Sequence, residues 1–144
     1  MATTPYVNKR SKAILVVEDE ATIRYILRIV LGRLGGAVLE ACDGADGLIV
    51  SRNFSGPIDL VVSDVTMPKM DGPEIISRLQ PERPGIKVLF ISACPTESVL
   101  AQDFLAKPFL PAAIEKKVQE MLAHDPASVG PKRLAPAEPR PGGG

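Results

Sequence analysis

IDLVVSD, residues 58–64, is a short apolar run that stops on a carboxylate. Gly56-Pro57 turns the chain before it, and a loop over residues 65–71 follows. A Val- and Leu-rich run of this length between turn signals reads as a strand buried on both faces of a parallel sheet. Three further runs share its grammar: AILVV (residues 13–17) stops on Glu18-Asp19-Glu20, KVLFI (residues 87–91) on Ser92, and DFLA (residues 103–106) on Lys107-Pro108. In open parallel sheets, ligands sit in the crevice outside the carboxyl ends of the strands. Acids, a hydroxyl and an amine are therefore expected to converge on one pocket.

The segments between these runs read as helices. Ile23, Ile26, Leu27, Val30, Leu31 and Leu34 recur at three- and four-residue spacing, the stripe of an amphipathic helix, which Gly35-Gly36 ends. Residues 37–41 then predict a second strand, and Asp43 or Gly44 opens a helix through Leu48, Ile49 and Val50. A third helix starts near Pro73, a residue tolerated in a first helical turn, with Ile75, Ile76 and Leu79 on its apolar face; Pro81, Pro84 and Gly85 stop it. A last helix spans about residues 111–123. Strand followed by helix, repeated, is the signature of an α/β fold with a parallel sheet.

Composition sets the outer bounds. The 144 residues hold one ordinary domain, 45% of them are hydrophobic, and 17 basic side chains balance 17 acidic ones, so charge gives no reason to expect a nucleic-acid partner. No apolar run approaches the roughly 20 residues that span a bilayer, and the basic residues near the start precede too short a run for a signal peptide. Cys42 and Cys94 make neither a disulfide scaffold nor a metal spacing, and a reducing, cytoplasmic setting is the expectation. Residues 1–11 read as a flexible leader, residues 12–124 as the folded domain, and the Pro- and Gly-rich residues 125–144 as a disordered tail. His124, the one histidine, reads as an exposed residue near a helix end.

Glu18, Asp19 and Asp64 are expected side by side after neighbouring strands, and like charges that close require a compensating cation. A hard divalent ion with oxygen ligands suits them, which predicts a Mg²⁺ site needing Asp19 and Asp64. An Asp carboxylate is a competent nucleophile toward phosphorus and yields an aspartyl phosphate. Such transfer is catalysed by positioning and charge neutralisation, which a metal and Lys107 supply together, with Ser92 donating its hydroxyl to a phosphoryl oxygen. Singly, these residues have ordinary readings: Asp64 as a turn or cap, Ser92 as a cap, Lys107 as a surface charge. Their joint placement at successive strand ends is what carries the chemistry.

With these residues in place, the chain resembles the response-regulator receiver domains of two-component phosphorelays, over about residues 12–123. The resemblance implies a flavodoxin-like, doubly wound, five-stranded parallel sheet of order 2-1-3-4-5. By the same resemblance, Glu18 and Asp19 form the acidic pair, Asp64 is the phosphoacceptor, Ser92 the switch hydroxyl and Lys107 the phosphate-binding lysine. Thr66 would give Mg²⁺ its backbone carbonyl, and Phe104, also readable as a core aromatic, takes the aromatic switch position. Met67-Pro68 and Asp71-Gly72 fit the loop after the acceptor, and the peptide bond between Lys107 and Pro108 is expected to be cis. The donor would be a histidine kinase or a histidine phosphotransfer protein, docking near helix one with Ile23 and Leu27 at its edge. The chain then reads as a stand-alone regulator that acts on a partner protein, with self-phosphorylation and self-dephosphorylation but no dedicated turnover.

One departure stands out. Only eleven residues separate Ser92 from Phe104, near the minimum for a crossover, so helix four is expected to be shortened to one or two turns around residues 96–102. That supports, as an alternative, a receiver-fold interaction module that signals without phosphate. A haloacid-dehalogenase-like phosphatase is the enzyme alternative, but it needs a second acid two residues after the nucleophile, where this chain has Thr66. A flavin carrier is disfavoured by the acidic loop after the first strand.

Overall fold

The computed structural model describes residues 12–100 and 102–123; the expected leader, the tail and His124 lie outside the described residues. Five strands alternate with five helices: β1 (Ala13–Val17), α1 (Ala21–Gly32), β2 (Ala37–Ala41), α2 (Gly44–Asn53), β3 (Leu60–Asp64), α3 (Gly72–Glu82), β4 (Lys87–Ser92), α4 (Glu97–Leu100), β5 (Phe104–Ala106) and α5 (Pro111–Ala123). All pairings are parallel, and the sheet order is β2-β1-β3-β4-β5, as expected. The register sets Val17 beside Ser63 and Asp64 beside Ile91, so β1, β3 and β4 end at one level.

Successive strand side chains point to opposite faces, and both faces are apolar here. Ile14, Val16, Leu60, Val62, Leu89 and Ile91 pack beneath Leu27, Val30 and Leu31 of α1 and Ile114 and Val118 of α5. On the other face Leu15, Val17, Val61 and Phe90 meet Leu48 of α2, Ile75 and Leu79 of α3 and Val99 of α4. Each central strand is thus buried on both sides, which is why its sequence reads as a continuous apolar run.

Local differences from the sequence reading have physical causes. α1 stops at Gly32, before the end of the apolar stripe, and the chain turns through Gly35, whose φ of +84° suits glycine. α2 runs on to Asn53, beyond the expected Val50, with Asp43 accepting the Asp46 N–H at its N-cap. α3 continues through Pro81 to Glu82. Arg83 closes it by reaching across to the end of α2, where its guanidinium donates to the carbonyls of Ser51, Phe54 and Gly56 and to Ser51 Oγ at 2.6–2.9 Å. Asp64 ends β3 as expected, but β3 starts at Leu60 and not at Ile58; Ser92 is the last residue of β4 instead of lying just past it, and β5 begins at Phe104 rather than Asp103. α4 is a single turn of four residues, pinned by the buried Val99.

Candidate functional site

Glu18 leaves β1 with its N–H on the Ala41 carbonyl, a bond at 3.1 Å that continues the sheet and turns its side chain inward. The carboxylate is fully buried, and Oε2 accepts the Glu20 N–H at 2.9 Å. Asp64, 6% exposed, ends β3 between β1 and β4, and its Oδ1 lies 3.4 Å from the Thr66 N–H that donates to it. The loop beyond is drawn in tightly: Gly72 donates to the Val65 carbonyl at 2.8 Å, and a Cβ on it would sit 2.5 Å from the Asp64 carbonyl oxygen. Lys107 arrives after β5, its N–H on the Ser92 carbonyl at 2.8 Å and its peptide bond to Pro108 cis.

The Lys107 ammonium is the centre of the charge distribution. Nζ lies 3.0 Å from Glu18 Oε1, 3.2 Å from Asp64 Oδ2 and 3.6 Å from Glu20 Oε1. Burial pushes the Glu18 and Asp64 carboxyls above their ordinary ranges, and Lys107 only partly offsets this. Burial would lower the Lys107 ammonium, but the hydrogen bonds and charges of Glu18 and Asp64 outweigh it and hold it protonated well into the alkaline range. One ammonium therefore serves a crevice with too much negative charge.

The same geometry tests the crevice for a divalent cation. Glu18, Asp19 and Asp64 each offer a carboxylate oxygen within 4.8 Å of the others. Glu18 Oε1 is fully buried, and its close polar neighbour among the described residues is the Lys107 ammonium at 3.0 Å. A hard oxygen donor set of three carboxylates with a single ammonium to offset them fits Mg²⁺.

Glu18, Asp19, Asp64 and Lys107 are therefore brought together. Ser92 is 1% exposed at the end of the adjacent β4, with Oγ accepting the Cys94 N–H at 3.1 Å, and Thr66 stands in the exposed loop beside Asp64. Phe104 heads β5, half-buried against the core layer of α2 and α3. One expectation fails: Leu27 is fully buried beneath α1 and faces the sheet, so it cannot edge a docking surface. The apolar surface beside the crevice is instead a cavity lined by Ile23, Ile26, Pro108 and Phe109, with Glu20 and Lys107 at its polar end. Sequence reasoning also passed over Arg24, which donates from Nη1 to the Glu18 carbonyl at 2.7 Å and so steadies the acidic turn. Its place one helical turn after Glu20 was the available signal.

Residues 14–119 match the family model described as "Response regulator receiver domain". Over 120 residues the chain is 37% identical to the sensor kinase CckA of Brucella abortus, covering 78% of this chain and 13% of that protein. It is 36% identical over 124 residues to the probable transcriptional regulator ycf27 of Cyanidium caldarium, covering 80% of this chain and 48% of the regulator. The chain thus spans half or less of the length of these curated relatives. A solved CheX-CheY-BeF3-Mg²⁺ complex from Borrelia burgdorferi matches with a TM-score of 0.71 and 27% identity, over 81% of this chain and 92% of the matched one. The acid and lysine geometry, the strand order and these matches agree: the chain belongs to the response regulator receiver domain family of two-component systems.

Proposed function

We propose that this receiver accepts a phosphoryl group on Asp64 from a phosphohistidine donor, in a Mg²⁺-dependent reaction, and passes the signal to a partner protein. The observation that carries the proposal is Lys107 Nζ seated between Glu18 and Asp64 at the mouth of a three-carboxylate crevice. An Asp64 carboxylate oxygen forms the new bond to phosphorus; the bond from phosphorus to the leaving group breaks, and the leaving group takes its electron pair. Lys107 neutralises charge on the phosphoryl oxygens, and Ser92 donates its hydroxyl to one of them. Bound Mg²⁺, held by Asp19, Asp64, Glu18 and the Thr66 carbonyl, would supply the remaining neutralisation of the carboxylates and the phosphoryl group. The Borrelia neighbour was solved with BeF3 and Mg²⁺, which supports this assignment by similarity.

A histidine kinase or histidine phosphotransfer protein is the proposed donor, seated on the apolar cavity beside Lys107. The protein works as a phosphoprotein that forms and loses its own acyl phosphate, not as a turnover enzyme, in the cytoplasm. Among the described residues, no helix is long and apolar enough to cross a membrane. The single-turn α4 favours a readout through surfaces other than a full fourth helix.

Intact mass after incubation with acetyl phosphate tests the proposal. The wild type should gain one phosphoryl group with Mg²⁺ and none after chelation, and Asp64→Ala should gain none. Folded wild type that gains no mass would leave the phosphate-independent interaction module as the better reading.

A further inference from the structure

Glu20 belongs to the acidic run after β1 but stands outside the Glu18, Asp19 and Asp64 group. Its side chain is 64% exposed, against 0% for Glu18 and 8% for Asp64, and all three hold the same ammonium. It occupies the N-cap position of α1 but makes no side-chain cap hydrogen bond, so its carboxylate is not spent on the helix. With Lys107 it also lines the cavity formed by Ile23, Ile26 and Phe109.

We propose that Glu20 is a positioning residue that acts as an electrostatic gate: it holds Lys107 from the solvent side and slows dianionic small-molecule donors. The proposal rests on the reading of Asp64 as phosphoacceptor. With acetyl phosphate, an Asp64 oxygen bonds to phosphorus, the phosphorus–oxygen bond to acetate breaks, and acetate leaves with the electron pair. Lys107 must turn toward the arriving phosphoryl oxygens. Of the three carboxylates that hold it, the two buried ones have no water to turn to, whereas exposed Glu20 is released to solvent at little cost. Until then its charge adds to a crevice already short of cations, and it opposes a dianion more than a donor of lower charge.

The test compares wild type with Glu20→Gln, using initial phosphorylation rates read by intact mass at fixed Mg²⁺. Acetyl phosphate is one donor; phosphoramidate, whose protonated nitrogen leaves it one less net negative charge, is the other. Both are run at low and at high salt. The variant should raise the second-order rate with acetyl phosphate by about threefold to tenfold at low salt, with a smaller gain at high salt where exposed charges are screened. With phosphoramidate the gain should fall to about the square root of that, roughly 1.7-fold to 3-fold, since half the charge halves the repulsion energy. Equal gains with both donors at both salts would mean a merely loosened loop, and no gain or a slower rate would remove the gate; either overturns the proposal while Asp64 phosphorylation stands. Wild type unreactive toward both donors would overturn the phosphoacceptor reading and the gate together.

Discussion

Ile23 and Leu27 lie four residues apart on α1 but have different fates. Leu27 is fully buried against the sheet, whereas Ile23 is half-buried and lines the cavity next to Lys107 together with Ile26, which is 36% exposed. A donor that presents phosphohistidine to Asp64 would cover this apolar surface, and a few such side chains carry most of an interface's energy. Replacing both Ile23 and Ile26 with Ala is expected to slow phosphotransfer from a phosphorylated histidine phosphotransfer protein by about tenfold, while the acetyl phosphate rate stays within about twofold. Equal losses with both donors would show that the pair supports the crevice and not the docking. The uncharged substitution is deliberate, because the crevice responds to any added carboxylate.

Among the elements, α2 and α3 depend on one side chain that no periodicity announces. The last carbonyls of a helix lack intrahelical partners, and at the end of α2 Arg83 donates to the carbonyls of Ser51, which also accepts the Phe54 N–H, and of the C-cap residue Phe54, along with Ser51 Oγ and the Gly56 carbonyl. The planar guanidinium meets several acceptors at once, which an ammonium cannot do. Arg83→Ala leaves partly buried acceptors unsatisfied and is expected to cost about 2–3 kcal/mol, read as a lower urea midpoint with an unchanged slope. Arg83→Lys should recover only part of that loss. Arg52 to Glu82, a salt bridge at 2.7 Å between the same two helices, is exposed, and its removal should matter far less. If Arg52→Ala proved as costly as Arg83→Ala, the carbonyl clamp would not be what joins these helices. α4, by contrast, has one turn and, among its described side chains, one buried anchor, Val99.

For the whole molecule, the consequence of gathering several strand ends is a charged crevice whose cost is borne by the fold. Burial raises the Glu18 and Asp64 carboxyls from ordinary values of 4.5 and 3.8, so the folded state holds those protons more tightly than the unfolded chain does. The stability this contributes is present below the unfolded values and is lost as pH rises through the folded ones. Metal-free Asp64→Asn should therefore melt above wild type by a few degrees, roughly 2–5 °C, at pH 7, with the gap narrowing toward pH 4. A gap that stayed constant over that range would show that Asp64 ionisation is not the strained step. Much of this arrangement was legible in the sequence. Runs such as residues 13–17 and 58–64 are apolar because both sheet faces are covered, and the residues that stop them must then share one edge of the sheet. Periodicity could not say which strands are neighbours, because pairing is a long-range choice made by packing; the sheet order brings Glu18 and Asp64 together and lets Lys107 span from β5 to both. Nor could it tell the buried Leu27 from the half-exposed Ile23, or show Glu20 on Lys107 and Arg24 on the Glu18 carbonyl, since these depend on side-chain direction across elements. The kinds of residue at the strand ends and the α/β pattern were set by the sequence, through local propensity and hydrophobic period. Which of those residues meet, and which face water, was decided only by tertiary packing, because contact and burial are properties of the assembled layers.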